Sequence, residues 1–123
     1  YVSYTCSHCA EFVKTGTAPL KAGWVRNGKA SVEVRNAIRD RYDLTAALLA
    51  RCGGPTRFAG NHEALFANYE PWIAQLQAYE QSNPQVEGEQ AVLNDIAAKT
   101  GLNALMVKRG FTPAQLKTCL ADP

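Results

Sequence analysis

Apolar and polar positions alternate in two short stretches near the start of the chain and nowhere later. Tyr1-Val2-Ser3-Tyr4-Thr5 is a β-prone run, and over 30–36 the apolar Ala30, Val32 and Val34 alternate with Ser31, Glu33 and Arg35, the period of a strand with one covered face. Between them the sequence reads as helix from Ser7, with a bend or break near Gly16 and again before Pro19, and a second helical piece over 19–25. Asn27-Gly28 marks the turn into the second strand. A strand, a helix and a strand in this order predict a parallel pair joined by a right-handed crossover.

After Asp40 the pattern is helical throughout. Asp43 is predicted to cap a helix to about residue 51, with Leu44, Ala47 and Leu48 on its apolar side and Gly53-Gly54-Pro55 closing it. A second helix over 57–69 carries Phe58, His62, Leu65, Phe66 and Tyr69 at helical spacing, and Pro71 is expected to start a third that carries Trp72, Ile73, Leu76 and Tyr79. Ser82-Asn83-Pro84 reads as a loop, 87–99 and 103–109 as helices ended by Thr100-Gly101 and Gly110. Thr112-Pro113-Ala114-Gln115 predicts a last helix with a capping box: Thr caps, Pro occupies the first turn and Gln reaches back. The fold class expected is α/β and mostly helical, a β-α-β unit over 1–41 followed by an all-helical block over 42–123.

A chain of 123 residues, 46% hydrophobic and 20% charged, supports one core and needs no second one. No apolar run approaches the ~18 residues of a transmembrane helix. A net charge of +2 is too small to argue for nucleic acid, but its distribution is uneven. Residues 1–57 hold nine Lys and Arg against four Asp and Glu, while 58–123 hold four against seven. The chain opens on Tyr1 with neither Met nor a signal peptide, which reads as a processed, trimmed or renumbered start.

The candidate chemistry lies in Cys6-Ser7-His8-Cys9, placed where the first strand gives way to the first helix. A thiol there faces unpaired N–H groups and the positive end of the helix dipole, which favours thiolate over thiol. Cys6 is therefore the candidate nucleophile. Cys9, one turn on and more buried, is the candidate resolving thiol, within reach for a disulfide. His8 can place a further positive or hydrogen-bonding group near Cys6. The basic half of the chain also holds this pair, which modestly favours thiolates. Zinc would need four ligands in paired spacing, and Cys52 and Cys119 stand alone, so no metal is expected. His62, on an apolar helix face, reads as a hydrogen-bonded packing residue. Trp24, Trp72, Phe58 and Phe66 read as core or interface aromatics, and Arg35, Arg39 and Arg41 as a solvated surface near the strand end, with docking of a partner as the alternative.

These residues together resemble the DsbA family of thioredoxin-fold thiol:disulfide oxidoreductases. The resemblance is carried by Tyr4-Thr5-Cys6-Ser7-His8-Cys9-Ala10-Glu11-Phe12, by Pro19-Leu20, by Gly28-Lys29, by Ala46-Ala47-Leu48-Leu49-Ala50-Arg51-Cys52-Gly53, and by Leu65-Phe66 followed by Trp72. It runs from residue 1 to about 76. It implies a partial thioredoxin-like catalytic unit over 1–41 and a helical insertion domain over 42–123, with Cys6 nucleophilic, Cys9 resolving and His8 in the family's histidine role. Ser7 stands where the family usually has proline. The intervening dipeptide sets thiolate stability, so the reaction carries over and the potential does not. The family fold also has a strand before the position of Tyr1 and, after the insertion, a cis-proline loop, a hairpin and a final helix. None of these has a counterpart here, and Pro123 comes too early for that loop. The expectation is an internal piece of such a protein, with dithiol chemistry better retained than turnover on protein substrates.

The resemblance implies a periplasmic or otherwise exported enzyme that introduces disulfides into reduced or unfolded proteins, re-oxidised by a membrane quinone-linked partner, with no bound cofactor. Two other readings stay open: a reductase or isomerase of the same fold, and a non-catalytic thioredoxin-like module that binds peptides through its insertion. For Cys52 and Cys119 there are likewise two readings. They are either buried free thiols packing as small apolar groups, or a disulfide clamping the first helix of the insertion to its last. An oxidising compartment favours the second.

Overall fold

The structure is a computed structural model that describes residues 1–121. Its helices are α1 Ser7–Thr15, α2 Thr17–Leu20, α3 Arg41–Ala50, α4 Pro55–Ala67, α5 Tyr69–Gln81, α6 Glu89–Lys99, α7 Leu102–Lys108 and α8 Pro113–Ala121, with a π-helical segment Lys21–Val25 after α2. Thr15 ends α1, and Pro19, which lacks an N–H, sits in the first turn of α2, where that donor has no helical partner to lose.

Among the described residues the β part is reduced to one parallel bridge between Val2 and Asn36. The Val2 N–H donates to the Arg35 carbonyl at 2.8 Å, and the Ala37 N–H to the Val2 carbonyl at 2.8 Å. The crossover through α1 and α2 is thus parallel as expected, but most of the predicted strand over 30–36 has no regular secondary structure and is exposed. Its alternation describes a face that nothing among the described residues covers, and Val32 is left exposed. Trp24, expected in the core or at an interface, is 57% exposed and so lies outside the core. Both the Lys29 and Ala30 N–H groups bond to the Trp24 carbonyl, so the segment closes on itself and sets the Lys29 ammonium over the indole, 5.9 Å from its centroid.

The core is helical and α3 runs through it. Thr45, Ala46, Ala47, Leu49 and Ala50 of α3 are buried, and their small side chains let α4, α6, α7 and α8 pack around one helix. Leu65, Phe66, Trp72, Leu102, Met106, Leu116 and Leu120 complete the cluster, and Tyr4 belongs to it, so the residue two places before Cys6 is anchored in the same core as the helices. Helix α3 is capped by Asp40, not by the predicted Asp43: the Asp40 carboxylate accepts the Asp43 N–H at 2.9 Å. Pro71 likewise does not start a helix; α5 begins two residues earlier, with Pro71 in its first turn. The predicted capping box of α8 is complete, with Thr112 N–H donating to Gln115 Oε1 at 2.8 Å and Gln115 N–H to Thr112 Oγ1 at 3.2 Å.

Cys52, just beyond the end of α3, is bonded to Cys119 of α8. The chain reverses there through Gly53 and Gly54, with φ of 86° and 80°. A side chain at Gly53 would strain that backbone and come within 2.9 Å of Arg57 Cγ and 3.0 Å of Phe111 Cε1.

Candidate functional site

Cys6 occupies the N-cap position of α1, in extended backbone with φ −88° and ψ 121°. Its carbonyl accepts the first helical bond, from Ala10 N–H at 3.1 Å, and its own N–H donates to Ser3 at 3.2 Å. A serine or aspartate at this place would turn its side-chain oxygen to the N–H groups of the second and third helical residues. Here those residues are His8 and Cys9, and the side chain at the cap is a thiol, which makes no capping hydrogen bond to them and responds to them through the field of their N–H groups. The Cys9 N–H, above all, lowers the Cys6 pKa; burial opposes it, and the Cys9 thiol, the His8 N–H and the Arg39 charge act in the same direction as Cys9. Both cysteines are free and half-buried, and Ser7 and His8 are exposed. What His8 contributes to Cys6 in this geometry runs through its backbone.

The residue before the nucleophile is held from three sides. Tyr69, at the start of α5, donates its hydroxyl to the Thr5 carbonyl at 3.3 Å. Asp43, 1% exposed, accepts at Oδ1 from Ser3 Oγ at 2.7 Å, Thr5 Oγ1 at 2.8 Å and Thr5 N–H at 3.2 Å. Its Oδ2 accepts from the Arg39 N–H at 3.0 Å and Arg39 Nε at 3.3 Å. Arg39 Nη2 in turn donates to Thr5 Oγ1 at 2.6 Å. Burial alone would raise the Asp43 pKa, but the bonds from Ser3, Thr5 and Arg39 outweigh it and hold the carboxyl below its ordinary range. Tyr69 moves the other way: burial, and then the nearby Cys6 charge, raise its pKa.

Beneath the site, Tyr4 and His62 are joined by a 2.8 Å hydrogen bond between the phenol and Nδ1. His62 is packed among Tyr4, Phe58 and Phe66, and burial lowers its pKa; burial also pushes Tyr4 up to about 12. His62 is thus a hydrogen-bonded packing residue, as its helix face indicates. Beside Ser7 a groove of about 550 Å³ opens between α1 and the α4–α5 junction, lined by Ala10, Val13, Phe66 and Tyr69 with Glu11 and Glu70 at its sides. Among the described residues no three His, Cys, Asp or Glu side chains converge as metal ligands, and no helix is long and apolar enough to cross a membrane.

The dithiol is legible in the sequence and its support is not. Arg39 reads as one cation in a basic run, Asp43 as a helix cap and Tyr69 as an apolar helix position. Their roles appear only once the chain brings residues 39, 43 and 69 back to residue 5.

Fold and site together define a thioredoxin-like protein with a cysteine pair at a helix start. A family model described as thioredoxin matches residues 1–122. A Rickettsia bellii protein is 30% identical over 123 residues, covering 99% of this chain and 40% of its own length, and a Rickettsia conorii protein is 37% identical over 73 residues, covering 58% and 26%; both bear the name "Putative protein-disulfide oxidoreductase". The crystal structure of a protein-disulfide isomerase from Novosphingobium aromaticivorans superimposes with a TM-score of 0.87 at 34% identity, covering 99% of this chain and 64% of that one. The chain belongs to the thioredoxin family, in its helix-rich, DsbA-like branch. It spans less than half the length of these two relatives.

Proposed function

We propose that the protein is a thiol:disulfide oxidoreductase that introduces disulfides into exported proteins, with Cys6 as nucleophile and Cys9 as resolving thiol. The observation that carries this reading is the position of Cys6 as the N-cap of α1, where the Cys9 and His8 N–H groups favour its anion. In the forward direction a substrate thiolate attacks Cys6 Sγ of the Cys6–Cys9 disulfide. The Cys6–Cys9 bond breaks, Cys9 leaves as thiolate and a mixed disulfide joins Cys6 to the substrate. A second substrate thiolate attacks the substrate sulfur of that bond, and Cys6 leaves as thiolate. The substrate is oxidised, the protein dithiol holds the two electrons, and the protons of the substrate thiols pass to solvent. A leaving group with a lowered pKa stabilises the reduced dithiol and makes the disulfide oxidising. Residues 1–41 serve as the catalytic unit and 42–123 as a helical insertion that supports it, since Asp43 and Tyr69 both reach back to Thr5. The resemblance gives His8 the family's histidine role, but its contribution in this geometry runs through a backbone N–H that alanine keeps, so His8→Ala is expected to leave the glutathione equilibrium nearly unchanged, and a clearly less oxidising variant would show that the side chain acts on Cys6. Periplasmic location and re-oxidation by a membrane quinone-linked partner complete the reading.

A second direction is favoured by one comparison: the solved neighbour is named an isomerase, and Ser7 between the cysteines sets a potential of its own. Scrambled-disulfide and insulin-reduction assays separate isomerase or reductase from oxidase. Oxidoreductase activity of either direction predicts that, in the reduced protein, Cys6 is alkylated well below pH ~8.5, the approximate value of an unperturbed thiol. Faster modification of Cys9 would reverse the assignment. Peptide binding that persists unchanged in Cys6→Ser, with no thiol exchange in the wild type, would make the protein a binding module instead.

A further inference from the structure

Arg39 is fixed in a way its neighbours are not. Arg35 pairs with Glu33 at 2.6 Å, but both are well exposed, and such a pair contributes little. Arg39 is held through its backbone N–H and its Nε by the buried Asp43 carboxylate, and through Nη2 by Thr5, the residue bonded to Cys6. The parallel bridge at Asn36 and the Asp40 cap of α3 fix the chain on either side of it. Its side chain remains 55% exposed, so the guanidinium stands at the open side of the cluster while Asp43 lies closed behind it.

We propose that Arg39 is a positioning residue of the redox site: its guanidinium, fixed by Asp43 and Thr5, keeps a permanent positive charge one residue from Cys6 and adds to how oxidising the Cys6–Cys9 couple is. This rests on the reading of Cys6 and Cys9 as the reacting pair. The two charges act on each other: Arg39 lowers the Cys6 pKa, and the Cys6 anion helps to raise that of Arg39. The other groups facing Cys6 are the Cys9 thiol and the backbone of His8 on α1, and Tyr69 on α5, with Asp43 and Asp40 behind Arg39. Among these Arg39 is the cation, and a planar guanidinium can bond Asp43 and Thr5 at once where a lysine ammonium offers one point. Asp43 acts through Arg39 and Thr5 and does not itself meet the reacting sulfurs.

The test titrates the Cys6 thiolate by its absorbance and measures the equilibrium with glutathione for wild type, Arg39→Gln and Arg39→Lys. Arg39→Gln is expected to raise the Cys6 midpoint by up to about half a unit and to make the couple up to ~3-fold less oxidising, the size of one screened charge held at the neighbouring residue. Arg39→Lys, which keeps the charge, should recover most of this. Because the guanidinium is exposed, the wild-type midpoint should rise as salt is raised to about 1 M. A low wild-type midpoint left unmoved by Arg39→Gln overturns this proposal alone. A wild-type Cys6 that titrates as an ordinary thiol overturns the dithiol reading and this proposal with it. If Arg39→Gln does not fold, a wild-type midpoint that ignores salt overturns the proposal, and a rise supports it.

Discussion

Replacing Cys52 and Cys119 together by alanine is expected to lower the unfolding free energy by about 4 kcal/mol. The bond closes a loop with a sequence separation of 67, with Cα atoms 5.5 Å apart, and α4 to α7 lie inside that loop. A cross-link of this span removes much of the chain entropy of the unfolded state, and the logarithmic dependence on loop length gives the figure quoted. Cys52 is buried and Cys119 half-buried, so the lost side-chain contacts add to the entropic cost rather than offset it. Against a total of ~5–15 kcal/mol for a domain, this is a large share. Urea unfolding of the oxidised wild type and the double variant measures it, and single variants are avoided because an unpaired Cys52 or Cys119 could exchange with Cys6 or Cys9. A difference below about 1 kcal/mol would mean that the helical packing around α3 alone holds α8, and that the bond follows the fold without contributing to it.

What could be read from the sequence was what local rules decide. The start of α1 at Cys6, the pause at Gly16 and the Thr112–Gln115 capping box each depend on residues within four positions of one another, and each stands in the structure where the pattern puts it. Asp40 and Asp43 show where such rules stop. Both are acceptable N-caps by residue type, and the choice falls to Asp40 because the Asp43 carboxylate is occupied by Ser3, Thr5 and Arg39, partners more distant in sequence except for Arg39. Arg39 illustrates the same limit at the site. In a run with Arg35 and Arg41 it has the composition of a solvated face, and only the bridge that returns Asn36 to Val2 places it beside Thr5. Val32 fails for the opposite reason: its alternation marks a face to be covered, and among the described residues the side chain stays exposed.

Asp43 joins Ser3, Thr5 and Arg39 in one buried cluster, and its removal is the second large effect expected. Asp43→Ala leaves the Ser3 hydroxyl, the Thr5 N–H and hydroxyl and the Arg39 N–H without their acceptor, in a place where the carboxylate is nearly inaccessible to water. Unsatisfied buried donors cost about 1–3 kcal/mol each, and water entering the space left by the side chain recovers part of that, so a loss of ~3 kcal/mol is expected. The ion pair with Arg39 adds little, since that side chain is half exposed and screened. Asp43→Asn keeps one acceptor but turns an amide toward a donor, and should cost roughly half as much. The wild type should also show the pH signature of a depressed carboxyl. The folded pKa of Asp43 lies below its unfolded value of about 3.9, so between the two the unfolded chain binds the extra proton. Its stabilisation is therefore fully present above the unfolded value and is lost as pH falls through the folded one. Asp95, bonded by Tyr79 and Lys99, is lowered in the same direction, so the informative quantity is the wild type minus Asp43→Asn, in which Asp95 cancels. That difference should shrink as pH falls from about 5 to 2. Curves that stay parallel over this range would show that Asp43 is not held as an anion in the fold, and would remove the anchor on which both Thr5 and Arg39 depend.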